Sequence, residues 1–309
     1  MNQCAISRTD TFQTGAVQIV VHKLSQSKSK MQMCVRWIFL HSYRNLIKEN
    51  FFQVRLDLEE FDVAPQELTG DCTDQFLTIE GVDNTFCNIN TGQHIYVGVN
   101  SVPSNKDIDF TAIRGQTFKY SIRVTQINCA TNDDVMQQLR APNGCLQYFT
   151  ESGGTIRSFN YDGIRAYSPN QDYAICIARK AKHCGIRYTN PPEESNKIRS
   201  IGLAFQSGCS NGAFGVSGSQ DSGCGEDCLG GSAGLPGADR DWITIAGGQL
   251  ADGDLRESSS YKSYYCGRGL GVDTDSTVDG VNGNGVVDLS NGPFILNFHA
   301  DSNKPKEFN

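Results

Sequence analysis

The sequence predicts an all-β protein built from antiparallel strands and cross-linked by disulfides. Its 309 residues include 32 glycines and only 9 prolines, and its β-branched and aromatic residues occur in short runs. Runs of this kind, separated by turn residues at roughly 8–12-residue spacing, are typical of a sandwich or barrel. No helical segment of about 10–15 residues lies between them, which argues against a parallel α/β sheet.

Alternation of apolar and polar side chains is clearest over residues 54–58 and 118–124. This period of two predicts strands with one buried face. Further strands are predicted at residues 72–79, 95–99, 154–161, 173–177, 184–188, 201–205, 241–245 and 293–298. Residues 128–144 are predicted as a connector with one helical turn at 136–140, and residues 207–237, 247–262 and 273–285 as long loops.

Twelve cysteines make disulfides the expected cross-links. Disulfides persist in oxidising compartments, so this even and dense usage predicts a secreted, extracellular protein. The alternative is a zinc site at Cys224 and Cys228. Structural zinc sites need a second short Cys or His pair, and the sequence contains none at suitable spacing.

Charge and hydropathy exclude two classes of partner. The chain has 27 Lys and Arg against 34 Asp and Glu, a net charge of -7, so no dense basic surface for nucleic acid is predicted. No apolar run approaches the roughly 18 residues of a membrane helix. The first residues also lack the basic and apolar regions of a signal peptide. Either the protein is intracellular or its natural N-terminus is different, and the cysteines favour the second alternative.

Several motifs of the second half resemble one known family. In chain order these are Cys145, the Gly-Thr-Ile-Arg-Ser-Phe-Asn-Tyr segment at 154–161, Cys176, the Asp-Trp-Ile-Thr-Ile segment at 241–245 and Tyr-Cys-Gly at 265–267. They resemble the CUB module, an extracellular antiparallel β-sandwich of the jelly-roll kind. Residues 293–301 resemble the final strand of that module and the Asp that follows it.

The segments that start at Gln53, Gly92, Ile122 and Ala141 are similar to secreted two-CUB proteins of arthropods. The resemblance covers about residues 52–303. It implies an atypical or misassembled segment at 1–51, a partial or diverged module at 52–127, a CUB domain at 128–303 and a tail at 304–309.

The start of the chain departs from that group. Phe52 stands where these proteins carry a cysteine, so we expect an N-terminal truncation that removed a signal peptide and half a module. The alternative to a truncation is that Cys4 and Cys34 serve as the first cysteines of the first module. Their separation of 30 is close to the 31 between Cys145 and Cys176.

The resemblance also implies a disulfide pairing. Cys145 is expected to pair with Cys176, and Cys72 with Cys87, closing a loop worth roughly 3 kcal/mol in the chain-entropy model. The remaining expected pairs are Cys266 with Cys228 or Cys224, Cys209 with whichever of these is left, and Cys129 with Cys184.

A subset of CUB modules binds calcium through one Glu and two Asp, because this hard cation needs several oxygen ligands. Asp241 and Asp301 fall on the two Asp positions, but no Glu is identifiable in 201–208. The alternative is that both are solvated carboxylates at strand ends. In the first module Gln75 and Ala64 replace the acidic residues, so no metal is expected there.

The resemblance implies a non-catalytic module that binds an extracellular protein or glycan through loops at the sandwich ends. Two alternatives remain, the non-catalytic part of a larger secreted protease and a structural matrix or cuticle protein. A hydrolase is not predicted, because none of the five histidines lies in a recognisable triad motif. Trp242 is predicted in the core; the alternative is a ligand contact with Tyr261, Tyr264 and Tyr265.

Overall fold

The computed structural model of the chain is dominated by β-strands. The residues that it describes are 6–9, 16–21, 31–32, 52–67, 70–79, 81–99, 108–112, 118–128, 134–161, 165, 167–181, 183–189, 201–204, 241–250, 261–265, 270 and 285–302. Two compact units divide the chain, one of Met1–Glu67 with Cys72–Gln147 and the other of Leu68–Asp71 with Tyr148–Asn309. No helix within the described ranges is long and apolar enough to span a membrane.

The first unit contains two sheets. Its strands are β1 (Ile6–Thr9), β2 (Ala16–Val21), β3 (Met31–Gln32), β4 (Phe52–Asp62), β5 (Gln75–Ile79), β6 (Val82–Phe86), β7 (His94–Val99), β8 (Ile108–Ala112) and β9 (Lys119–Asn128). The sheet orders are β1-β2-β9-β4-β7 and β3-β8-β5-β6. A short helix, α1 (Asp134–Leu139), follows β9, close to the predicted helical turn.

The two segments with alternating apolar and polar residues form β4 and β9, as predicted. The two strands pair with each other in antiparallel orientation. Leu56 and Leu58 on β4 are almost fully buried. Ile122 and Val124 on β9 are also buried, and they lie opposite these leucines in the pairing register. Burial of these side chains removes apolar surface from water, which is the main favourable term in folding.

The second unit is a single curled sheet. Its strands are β10 (Cys145–Phe149), in which the division between the units falls, β11 (Gly154–Arg157), β12 (Gln171–Ile177), β13 (Ile186–Thr189), β14 (Ile201–Ala204), β15 (Trp242–Leu250), β16 (Tyr261–Tyr265), β17 (Val286–Asp288) and β18 (Phe294–Ala300). The order is β10-β12-β18-β15-β17-β13-β14-β11, and β16 pairs with β15. The pairings of β14 with β11 and β13 are parallel. The architecture is the all-β sandwich that the sequence predicts.

The core of the second unit is formed by one face of its central strands. Ile243 and Ile245 on β15 and Leu296 and Phe298 on β18 have no exposed surface. Tyr173 packs against Phe298 with their ring centroids 5.5 Å apart. The prediction that Trp242 belongs to this core is wrong: it alternates with the isoleucines and is half-buried on the opposite face.

Strand β15 is longer than predicted, because residues 247–250 belong to it and not to the expected loop. A register shift between Thr244 and Gly248 accommodates the extra length. A side chain at Gly248 would overlap the hydroxyl of Tyr265 on the neighbouring strand, which explains the glycine at a strand interior. Glycine thus allows the strand to continue where turn-forming residues indicated a loop.

Cys72 and Cys87 form a disulfide with an S–S distance of 2.07 Å. Cys145 on β10 and Cys176 on β12 are each disulfide-bonded as well, and their strands are neighbours in the sheet. Their pairing with each other stays a prediction.

Cys184 contradicts the expected pairing with Cys129, because it is a free, exposed thiol. It lies in the turn between β12 and β13, at the surface of the second unit. The remaining predicted cysteine pairs, and the alternative that uses Cys4 and Cys34, involve positions outside the described residues.

Candidate functional site

The two predicted aspartates meet at one end of the second unit. Asp241 directly precedes β15 and Asp301 directly follows β18. These strands pair antiparallel with Trp242 opposite His299, so the start of one lies beside the end of the other. The backbone N–H of Asp301 donates to Oδ1 of Asp241 at 2.8 Å.

Tyr167 completes this arrangement. Its hydroxyl donates to the other carboxylate oxygen of Asp241, Oδ2, at 2.5 Å, and its ring packs edge-on against Phe298. Asn170 further anchors the same end, because its N–H donates to the carbonyl of Asp301 at 2.7 Å. We call Asp241, Tyr167 and Asp301 the Asp241 cluster. No sequence motif indicated Tyr167, which is 74 positions from Asp241.

Both aspartates of the cluster are buried, with exposures of 5% for Asp241 and 9% for Asp301. The alternative of solvated strand-end carboxylates is therefore wrong. Burial raises the pKa of Asp241 to about 7, and the charge of Asp301 adds to the rise. The hydrogen bonds from Tyr167 and Asp301 oppose it, because they stabilise the ionised carboxylate. The cluster therefore holds a carboxyl group close to half-ionised at neutral pH.

The described residues do not complete a calcium site. Calcium needs six to eight oxygen ligands, and both oxygens of Asp241 already accept hydrogen bonds. No group of three or more His, Cys, Asp or Glu that could hold a metal occurs in the part of the chain that the structure describes.

Calcium binding at Asp241 and Asp301 stays a prediction of the sequence, and it needs ligands from outside the described ranges. Titration calorimetry of the full chain should then show binding heat that Asp241→Asn abolishes. Asp172→Asn is the control, because Asp172 is 80% exposed on β12. Silence of the parent protein at millimolar calcium would remove the site.

The first unit has a neutral counterpart of the Asp241 cluster. Gln75 is fully buried at the start of β5, and its Oε1 accepts a hydrogen bond from the N–H of Ala64 at 2.9 Å. The resemblance to the CUB module places these two residues at the positions that are acidic in calcium-binding modules. The amide of Gln75 accepts a hydrogen bond from a backbone N–H, as the carboxylate of Asp241 does, but the amide cannot ionise.

The outer face of the second sheet carries an aromatic group. Trp242 stacks on His299 with ring centroids 4.1 Å apart, and Tyr264 packs edge-on against Trp242 at 6.1 Å. Tyr265 lies on the opposite face and is buried. Of the four residues in the alternative prediction of a ligand contact, Trp242 and Tyr264 share one face and Tyr265 does not. The side chain of Tyr261 lies outside the described residues.

A family model described as the animal CUB domain matches residues 142–309, which is more than half of the chain. The chain belongs to the animal CUB domain family. CUB domains are generally non-catalytic binding modules typical of extracellular proteins, and they commonly mediate protein interactions. The matched residues include the whole Asp241 cluster.

Solved structures of CUB domains are also similar to this chain. The CUB1-EGF-CUB2 domain of human MASP-1/3 has 11% identity and a TM-score of 0.21, covering 97% of this chain and 94% of its own. The CUB1-EGF-CUB2 domains of rat MASP-1 have 11% identity and a TM-score of 0.19, covering 81% and 87%. A search of curated proteins found no match. These low TM-scores carry no argument, so the CUB assignment rests on the family match and the all-β fold.

Proposed function

We propose that this CUB protein is secreted and acts as a non-catalytic module that binds an extracellular protein or glycan. In this proposal the first unit is a diverged or partial module of the same kind, as in the two-CUB proteins of arthropods that the sequence resembles. Binding takes place through loops at the sandwich ends, because loops on a rigid scaffold are where such contacts normally lie.

The observation that carries this proposal is the Asp241 cluster. Hydrogen bonds from Tyr167 and Asp301 fix the ends of two central strands to each other and to the segment before β12. The loops that leave this end therefore start from fixed positions, which lowers the entropy lost on binding a partner.

The non-catalytic part of the proposal is supported by the surroundings of the titratable groups. Asp241 has a pKa suited to acid–base chemistry, but its burial leaves a substrate no access to it. His94 is buried against the ring of Tyr96, and His299 is stacked on Trp242. A general base must reach the proton that it transfers. Burial prevents this for Asp241 and His94, and the ring of His299 is engaged in stacking on Trp242.

The proposed function predicts saturable binding of the purified full chain to decellularised extracellular matrix. Asp241→Ala should weaken it about tenfold, because loss of both hydrogen bonds frees the sandwich end. Asp172→Ala also removes a carboxyl group, but at an exposed position, and should bind as the parent does. If Asp241→Ala fails to fold, Tyr167→Phe removes only one of the two hydrogen bonds. Absence of saturable binding by the parent would contradict the proposal, and insoluble self-association would favour a structural matrix protein.

A further inference from the structure

Three aromatic side chains form a continuous group on the outer face of the second unit's sheet. Trp242 of β15 stacks on His299 of β18 with an angle of 22° between the rings, and Tyr264 of β16 packs edge-on against Trp242. The core lies on the opposite face of these strands, so burial in the core does not explain the group. All three residues are partly exposed. We call Trp242, His299 and Tyr264 the aromatic patch.

Hydrogen-bonding side chains border the aromatic patch on the same face. Asp172 lies opposite His299 in the pairing of β12 with β18, and its side chain is 80% exposed. Asn297 lies opposite Thr244, which in turn lies opposite Tyr264. Asn297 is exposed and Thr244 is partly exposed. The face therefore combines aromatic surface with a carboxylate, an amide and a hydroxyl group.

The aromatic patch lies at the same end of the strands as the Asp241 cluster. Trp242 directly follows Asp241, and His299 precedes Asp301 by two positions. The hydrogen bonds of the cluster fix this end of β15 and β18. The rings are therefore held in position before a ligand arrives, which lowers the entropy lost on binding.

We propose that the aromatic patch binds a neutral oligosaccharide whose sugar rings carry equatorial hydroxyl groups. This inference rests on the proposed extracellular binding function and names the ligand class and its site. Such a sugar ring presents C–H bonds on both of its faces, and these pack on aromatic rings because the face of an aromatic ring is electron-rich. Its hydroxyl groups point outwards from the rim, where the polar side chains that border the patch can bind them.

An acidic sugar fits this face less well than a neutral one. The exposed carboxylate of Asp172 repels sulfate and carboxylate groups, whereas it accepts hydrogen bonds from neutral hydroxyl groups. The amide of Asn297 and the hydroxyl of Thr244 can both donate and accept. The polar border therefore matches a ligand that carries hydroxyl groups without a negative charge.

A protein partner needs a larger surface than the patch and its polar border provide. These side chains span four neighbouring strands, β12, β18, β15 and β16, and two rows of outward positions along them. At the usual strand spacing and rise this measures about 14 Å by 7 Å. The resulting area of about 100 Å² is far below the roughly 800 Å² that each partner buries in a stable protein complex. It matches the footprint of two or three sugar rings.

Titration calorimetry of the full chain with cellotriose, a neutral trisaccharide with equatorial hydroxyl groups, tests the inference. Trp242→Ala and Tyr264→Ala should each weaken binding about tenfold, because each removes a stacking ring. Asn297→Ala should weaken it about threefold through loss of a hydrogen bond. Tyr161→Ala removes a partly exposed tyrosine outside the patch and should bind as the parent does. Thermal unfolding checks each variant, and Trp242→Phe, which keeps a ring, replaces Trp242→Ala if that variant does not fold.

Three results would overturn the inference. One is the absence of saturable binding to cellotriose at about 10 mM, where a millimolar Kd would give clear binding heat. Another is cellotriose binding that the Trp242 and Tyr264 substitutions leave unchanged. The third is equally tight binding of mannotriose, in which one hydroxyl group of each ring is axial.

Binding to extracellular matrix separates this inference from the proposed function. If matrix binding persists while cellotriose fails, only the sugar ligand is wrong. If matrix binding fails while cellotriose binding depends on the patch, only the wider function is wrong. Periodate oxidises the sugars of the matrix. Matrix binding that Trp242→Ala weakens but periodate leaves unchanged would therefore indicate a protein partner at the patch and overturn the inference.

Discussion

Gly285→Ala should destabilise the second unit by about 3 kcal/mol. Gly285 has a φ of 90° and directly precedes β17. A Cβ at this position would overlap the backbone carbonyl oxygen of Tyr188. That carbonyl belongs to β13, which pairs with β17, so neither backbone can move without disturbing the pairing. The substitution therefore combines an unfavourable φ with a clash that no side-chain rotation relieves.

Urea unfolding followed by tryptophan fluorescence measures this effect. In a Trp37→Phe background Trp242 is the only tryptophan, since the chain has two, and it reports on the second unit. Gly247→Ala is the matched control, because Gly247 has a φ of 72° and no atom within 4 Å of its added Cβ. The control should lose only about 1 kcal/mol. Equal losses in the two variants would contradict a role for the clash at Tyr188.

Asp241→Asn should remove a pH-dependent part of the stability of the second unit. The pKa of Asp241 is about 7 in the folded protein and about 3.9 in an unfolded chain. Between these values the folded state binds more protons than the unfolded state, so stability falls as pH rises. The full contribution is present below about pH 4 and is lost by about pH 7. From pH 4.5 to 7 the parent should lose about 3 kcal/mol through this group.

The difference in unfolding free energy between the parent and Asp241→Asn isolates this contribution, because the other carboxyl groups are common to both proteins. The same Trp37→Phe background and urea titration apply, at several pH values and with chelator present. Asparagine can still accept from the N–H of Asp301 and donate to the oxygen of Tyr167, so the cluster keeps its geometry. Asp172→Asn should show the parent's pH dependence. A difference that stays constant with pH would contradict the raised pKa of Asp241.

Local patterns predicted much of the fold, because side-chain alternation reports directly on which face of a strand is buried. This succeeded for β4 and β9. The same alternation would have placed Trp242 on the outer face of β15, since Ile243 and Ile245 occupy the buried face. The prediction that Trp242 belongs to the core went against this alternation. Residues 247–250 were missed for another reason: glycines that indicate a loop also permit close strand packing.

The candidate site was predicted in part. Motif positions indicated Asp241 and Asp301, but nothing local to either residue predicts the hydroxyl of Tyr167, which the fold alone brings to Asp241. Burial depends on the same long-range packing, so the raised pKa of Asp241 was not foreseeable from sequence. The free thiol of Cys184 shows a similar limit, because an even number of cysteines does not determine which of them meet.

The position of β18 has a consequence for how the second unit is made. This strand lies between β12 and β15 in the sheet, although it is the last of the unit's described strands to be synthesised. Until residues 294–300 emerge, β12 and β15 each present an unpaired edge, and exposed edges invite pairing with other chains. This part of the sheet therefore forms only after residues 294–300 have been synthesised, through contacts distant in sequence that form slowly.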